Sequence, residues 1–151
     1  MKPVASGAVI ELKSAEEIAI MRRAGQIVGE VLERLGQAVR AGITTEELDA
    51  LARETILRRG AQPAFKGYRG FPADICTSVN EEVVHGIPSK RRLQPGDIVG
   101  LDVGAVLGGY YADAARTVPG GEISPEVRQL LEVTERALAR GIEAAVVGSR
   151  L

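Results

Sequence analysis

The chain has 151 residues, of which 45% are hydrophobic and 26% charged, and its formal net charge at pH 7 is -1. This composition is ordinary for a globular domain, and it argues against a disordered chain and against a generally basic surface for nucleic acid. The single cysteine, Cys76, excludes an internal disulfide and is typical of a reducing cytoplasm. We also expect neither a signal peptide nor a membrane span, and therefore a cytoplasmic protein.

Two helices are predicted at the start of the chain, each opened by a capping box. The first box is Ser14 to Glu17, and Gly42 is the expected C′ residue of its helix. Its apolar stripe recurs at three- and four-residue steps and comprises Met21, Ala24, Val28, Val31, Leu35 and Val39. The second box is Thr44 to Glu47, and its helix is expected to bury Leu48, Leu51, Ala52 and Ile56 and to end near Gly60.

A third helix is predicted after the break at Gly120-Gly121. Ser124 is a suitable N-cap and Pro125 a suitable N1 residue, and the helix pattern runs on toward Gly148. Its length and its cap are similar to those of the first helix. The pattern therefore suggests that a second copy of the first structural unit begins here.

A first β-hairpin is predicted from two short runs rich in β-branched residues, 75–79 and 83–87, about a turn at 80–82. The only histidine, His85, lies in the second run beside Gly86. A lone histidine in a strand is usually structural, yet the neighbouring glycine could let a substrate approach. Both roles stay open at this point.

A second β-hairpin is predicted from residues 98–107 and 110–118, because Gly108-Gly109 between them suits a two-residue turn. If Leu107 pairs with Tyr110, Asp113 lies opposite Gly104. Asp102 then lies on the same face, since side chains alternate along a strand. Two carboxylates this close repel each other unless a cation lies between them, and a divalent metal is the common solution.

Residues 61–72 read as a loop that holds three of the five Phe and Tyr residues, namely Phe65, Tyr68 and Phe71. Such a cluster is typical of the wall of an apolar pocket. A loop pinned to the core by its aromatic rings is the alternative. The sequence pattern does not choose between the two.

Five short motifs, taken in order, closely resemble those of the type I methionine aminopeptidases. They are FKGYRGFP (65–72), CTSVNE (76–81), VVHGIP (83–88), LDVG (101–104) and YADAART (111–117). The resemblance implies an α+β chain with the pita-bread fold of the creatinase and aminopeptidase group. It further implies an N-terminal half with two helices packed on antiparallel hairpins, followed by the first helix of a second half. The implied division is an extension at 1–12, a half-domain at 13–121 and the start of an incomplete half-domain at 122–151.

The resemblance also implies a role for each residue of the site. Asp102 is similar to the aspartate that chelates one metal ion, and Asp113 to the aspartate that bridges two. His85 is similar to a histidine that binds the substrate near the scissile amide and stabilises the tetrahedral intermediate. The residues similar to those lining the methionine side-chain pocket are Phe65, Tyr68, Phe71 and Cys76.

The implied cofactors are two divalent ions, Co, Mn, Fe or Zn, and the family completes its site with one histidine and two glutamates from the second half. Because those motifs are missing here, we expect a partial site and a chain that is inactive alone. The implied substrate is the N-terminal methionine of nascent polypeptides, and contact with the ribosome is compatible with that role. We expect no membrane or nucleic-acid partner, but the missing half or a second copy should cover the open sheet edge.

Two other functions are compatible with these motifs. A proline-specific aminopeptidase or prolidase has the same fold, although that group carries an additional N-terminal domain. A pita-bread module without catalysis would bind peptide, ribosome or RNA. Retention of Asp102, Asp113 and His85 favours an enzyme, whereas the absence of the other ligands favours the module.

Overall fold

The computed structural model describes residues 11–150, which contain three α-helices and four β-strands. In chain order they are α1 (Ala15–Ala38), α2 (Thr45–Arg58), β1 (Gln62–Pro63), β2 (Ile75–Val79), β3 (Ile98–Leu107), β4 (Tyr110–Pro119) and α3 (Pro125–Ala144). Of the predicted N-terminal extension, residues 1–10 lie outside the described residues. None of the described helices is long and apolar enough to cross a membrane.

The sheet is antiparallel and is built around β3. Strand β4 pairs with β3 along its whole length, from Leu107 opposite Tyr110 to Ile98 opposite Pro119. On the other side of β3, β2 pairs with residues 99–103 and the short β1 pairs with residues 105–106. The predicted register of the second hairpin is therefore confirmed, and β1 is an element that the sequence pattern did not reveal.

One face of the sheet packs on α1 and α2 and forms the core. Helix α1 lies against β3 and β4, and α2 lies against β1 and β2. The side chains buried between these layers include Val31, Leu35, Leu48, Ile56, Ile75, Val79, Val99, Leu101 and Val103. Alternation along β3 then turns Asp102 and Gly104 to the opposite face, which the helices leave open.

Both predicted capping boxes are present, because the Ser14 and Thr44 side chains accept from the N3 backbone and the N3 glutamates accept in return. Helix α2 ends as predicted, just before Gly60. The predicted end of α1 was wrong. The C-cap is Val39, and Gly42 (φ 88°) lies three residues further on, where its N–H donates to the Leu93 carbonyl at 2.7 Å.

The predicted strand at 83–87 was also wrong, since these residues are irregular and the first hairpin has only its β2 arm. Asn80 and His85 both have left-handed backbone conformations, with φ of 57° and 60°. Each turns the chain out of an extended path. A single backbone bond, from the Thr77 N–H to the Gly86 carbonyl at 2.9 Å, holds this segment beside β2.

Helix α3 begins as predicted, with the Ser124 hydroxyl accepting from the Val127 N–H and with Pro125 at N1. It ends at Ala144, before the glycine at 148, and none of its residues is buried. Exposed apolar side chains on it are Leu130, Val133, Leu138 and Ile142. Its apolar pattern therefore has no partner among residues 11–150.

Tyr110 joins the tip of the β3–β4 hairpin to the start of α1, because its hydroxyl donates to Glu17 Oε1 at 2.5 Å. This bond is the largest cause that lowers the pKa of Glu17 from its ordinary value of 4.5. A carboxyl group whose pKa is lowered in the folded state stabilises that state at any pH above its ordinary pKa. This stabilisation is lost as the pH falls through the lowered pKa.

We expect Tyr110→Phe to lower the melting temperature at pH 7. Because the bond acts through ionised Glu17, the difference from wild type should shrink as the pH falls from 7 to below 4.5. Thermal melts across this range measure the effect. Tyr111→Phe, in which the exposed neighbouring hydroxyl is removed, is the control, and an equal loss in both variants would contradict the assignment.

Candidate active site

Two carboxylates lie side by side on the open face of the sheet. Asp113 on β4 is directly opposite Gly104 on β3, and Asp102 is opposite Ala115. In an antiparallel pair, this register makes the two aspartates diagonal neighbours on one face. The β3–β4 hairpin alone thus brings both predicted metal ligands together.

Asp102 is half-buried, and one of its two carboxylate oxygens has no hydrogen-bond partner among the described residues. Its Oδ1 atom is inaccessible to solvent and accepts no hydrogen bond within residues 11–150. Burial raises the pKa of Asp102 above its ordinary value, and the charge of Asp113 raises it further, while His85 opposes both effects. A cation between the two carboxylates would offset both the burial of the Asp102 charge and its repulsion by Asp113.

The donor chemistry of this pair fits a divalent metal, since carboxylate oxygens are suitable ligands for Mn and similar ions. The described residues contain no group of three or more His, Cys, Asp or Glu side chains placed to hold an ion. The described residues therefore offer two carboxylates to a cation here, and one of them has an oxygen without a hydrogen-bond partner.

A cavity of about 770 Å³ opens above the acid pair. Every residue that the sequence analysis assigned to the site lines this cavity: Phe65, Tyr68, Phe71, Cys76, His85, Asp102 and Asp113. The lining also includes Arg69, Ile87 and Tyr111, which the sequence analysis did not single out. Tyr111 could have been found from the strand period, because it lies two residues before Asp113 on β4.

The aromatic residues Phe65, Tyr68 and Phe71 line this cavity, as expected if their clustering forms a pocket wall. The Ala64 N–H donates to the Gly104 carbonyl at 3.0 Å, which joins the start of the loop to β3. A methyl group at Gly104 would come within 2.4 Å of Phe65 Cε1, so the missing side chain makes room for that ring. Phe65 therefore lies directly over the hairpin that carries the acids.

Charged contacts join the same loop to the start of β2. The Lys66 Nζ atom lies 3.9 Å from Oδ2 of Asp74, which is buried. Asp49 on α2 accepts from the backbone N–H groups of Asp74 and Ile75, both at 2.9 Å. Lys66 thus points away from the cavity, toward the junction of α2 and β2.

His85 reaches the cavity from the irregular segment that replaces the predicted strand. Gly86 holds this segment close to β2: its N–H donates to Ser78 Oγ at 3.1 Å, and a methyl group there would lie 2.2 Å from the Thr77 carbonyl oxygen. The idea that Gly86 makes room for a substrate was therefore wrong. It makes room for the backbone of β2, and this contact presents His85 to the cavity.

Cys76 is buried on β2, directly opposite Asp102 on β3. Burial raises the pKa of its thiol to about 11, with further contributions from the charges of Asp102, Asp113 and Asp49. The thiol is therefore protonated near neutral pH and acts as a neutral part of the cavity wall rather than as a nucleophile.

The chain is similar in sequence to known proteins. Residues 19–151 match the model of metallopeptidase family M24. The chain is 54% identical over 144 residues to a methionine aminopeptidase from Clostridium acetobutylicum, a match that covers 95% of this chain and 58% of the relative. The chain thus spans a little over half the length of this curated relative.

Solved structures show the same extent of likeness. A methionine aminopeptidase from Thermotoga maritima superposes with a TM-score of 0.88 at 39% identity, covering 91% of this chain and 55% of that one. A Xaa-Pro dipeptidase from Bacillus anthracis superposes with a TM-score of 0.75 at 25% identity, and the match covers 89% of this chain and 36% of the dipeptidase. These likenesses confirm the α+β pita-bread fold predicted from the motifs.

Proposed function

The chain belongs to metallopeptidase family M24, and on this basis we propose that it forms the first half of a methionine aminopeptidase acting on nascent chains in the cytoplasm. The observation that carries the proposal is the acid pair Asp102 and Asp113 at the floor of a cavity with an aromatic wall. The two carboxylates could bind a cation, and the same cavity offers an apolar pocket. This combination suits the removal of an amino-terminal residue that has an apolar side chain.

Asp102 and Asp113 would hold divalent metal ions at this end of the cavity. When bound, these ions would polarise the scissile carbonyl and activate water. Phe65, Tyr68 and Phe71 would surround the methionine side chain and exclude water from it. His85 would donate a hydrogen bond to the substrate near the scissile amide and stabilise negative charge that develops there.

Two carboxylates bind a divalent ion weakly, because affinity rises with the number of charged ligands. We therefore propose that these 151 residues are inactive by themselves and need a partner that supplies further ligands. The outer edge of β4 and the exposed apolar side chains of α3 are the surfaces open to such a partner within the described part of the chain. The partner would be the remainder of the relatives' fold or, by self-association, a second copy.

The test is to join the rest of the Clostridium acetobutylicum relative to this chain. We expect the fused protein to release methionine from a Met-Ala-Ser peptide when Mn²⁺ or Co²⁺ is present, and to stop when the metal is chelated. The control is the same fusion carrying Asp102→Asn. A folded fusion that binds metal but releases no methionine would count against the proposal.

The likeness to the Xaa-Pro dipeptidase supports a second candidate, a proline-specific peptidase. The same fusion separates the two, since that activity requires proline after the scissile bond. Faster cleavage of Ala-Pro than of Met-Ala-Ser would favour this second candidate. The lower identity, 25% against 54% for the methionine aminopeptidase, is the reason for ranking it second.

A further inference from the structure

Arg69 has an unusual place in the cavity. Of the described residues that line the cavity, it is the one with a permanent positive charge, while Asp102 and Asp113 are the acids. The cavity therefore has a cation and an acid pair among its lining groups. An ordinary pocket for an apolar side chain does not require the cation.

The guanidinium of Arg69 is free of polar partners in the described part of the chain. In residues 11–150 it makes no hydrogen bond and no ion pair, whereas the nearby Lys66 points to the buried Asp74 at 3.9 Å. The two cations of the loop thus differ in direction and in partner. The charge of Arg69 is available to a ligand in the cavity.

The backbone holds Arg69 in a conformation that side chains rarely adopt, with φ 48° and ψ 30°. Non-glycine residues enter this region at an energetic cost, which structures retain mainly where the position of a side chain matters. The guanidinium carbon lies 5.5 Å from the centre of the Tyr68 ring, within the range of a cation–π contact. Tyr68 therefore helps to hold the charge beside the cavity.

We propose that Arg69 makes this site select peptides that carry a carboxylate side chain at the third or fourth residue. The free α-amino group of such a peptide would lie toward the metal site at Asp102 and Asp113, and its side-chain carboxylate would accept a forked pair of hydrogen bonds from Arg69. This inference rests on the proposed function, because it assumes that a peptide amino terminus occupies the acid end of the cavity.

The size of the effect follows from the exposure of Arg69. An ion pair at an exposed site changes a binding equilibrium by a few-fold. Because Tyr68 already restrains the guanidinium of Arg69, this side chain loses less conformational freedom when the ion pair forms. We expect peptides with glutamate to bind about two to five times more tightly than their glutamine counterparts. Added salt should reduce this ratio, because exposed charges are screened.

The experiment uses isothermal titration of the 151-residue chain in Mn²⁺ buffer with four amidated peptides: Met-Ala-Glu-Gly, Met-Ala-Gln-Gly, Met-Ala-Gly-Glu and Met-Ala-Gly-Gln. In the wild type, the glutamate peptide of at least one pair should bind more tightly than its partner. In Arg69→Gln, the ratio of the affinity for a glutamate peptide to that for its glutamine counterpart should fall to about one. The affinity for the glutamine peptides should be unchanged. Lys66→Gln is the matched control, and there the ratio should persist.

The outcomes separate this inference from the function on which it rests. Binding of all four peptides with equal affinity would overturn the role of Arg69 and leave the proposed function in place. A ratio that persists in Arg69→Gln would also overturn it. If no peptide binds to the 151-residue chain, the role of Arg69 is overturned, and release of methionine by the fusion decides the proposed function separately. If binding of the glutamine peptides survives Asp113→Ala, the amino terminus does not lie at the acid pair, and both the proposed function and the role of Arg69 fail.

Discussion

Replacing Asp113 by alanine should abolish the binding of Mn²⁺ or Co²⁺ to this chain. The wild type offers two carboxylates on adjacent strands, and the loss of one leaves a single protein ligand. Since metal affinity depends steeply on the number of charged ligands, we expect a loss of roughly a hundredfold or more in calorimetric titration. The result would also separate a functional partial site from a pita-bread module that has lost metal binding.

Metal-free Asp113→Ala should at the same time be no less stable than the wild type. The charge of Asp113 is one of the causes that raise the pKa of Asp102, so its removal relieves repulsion in the folded state. Glu135→Ala, which removes an exposed carboxylate on α3, is the control and should leave metal binding unchanged. Metal binding that survives in Asp113→Ala would show that the acid pair does not form the site.

Gly86→Ala should be among the most destabilising single substitutions in the described part of the chain. The added methyl group would lie 2.2 Å from the Thr77 carbonyl oxygen and 2.8 Å from the Ser78 Cα, and both atoms belong to the backbone of β2. Backbone in a paired strand moves little, so we expect a loss of about 3 kcal/mol in the free energy of unfolding. Urea denaturation followed by circular dichroism measures it.

The matched control is Gly29→Ala in the interior of α1, where nothing lies within 4 Å of the added methyl group. This change should raise stability by about 0.5–1 kcal/mol, because alanine loses less conformational entropy in a helix. Similar stability changes in the two variants would show that the contact of Gly86 with β2 is not close in solution.

The parts of the fold that rest on local patterns could be predicted from the sequence. Gly108-Gly109 between two strand-like runs determined the turn, and the turn determined that Asp113 lies opposite Gly104. Ser14 and Thr44 gave the starts of two helices for a similarly local reason, since a capping box involves four consecutive residues. The acid pair followed from the hairpin without knowledge of the remaining fold.

Features that depend on distant contacts were missed. Residues 83–87 have the composition of a strand, but the left-handed backbone at Asn80 and His85 turns them into an irregular segment against β2. Neither residue is glycine, so composition gives no warning of this conformation. Arg69 escaped notice for the same reason, because its direction depends on a left-handed turn and on the ring of Tyr68.

The two-residue turn at Gly108-Gly109 also has a consequence for the order of folding. Local hairpins can form within microseconds, whereas contacts distant in sequence, such as those between Phe65 and Gly104, require the closure of long loops. The aspartates are therefore expected to approach each other before the aromatic wall and His85 arrive. Most of the geometry of the acid pair is encoded in one contiguous stretch of chain, and the cavity is assembled around it afterwards.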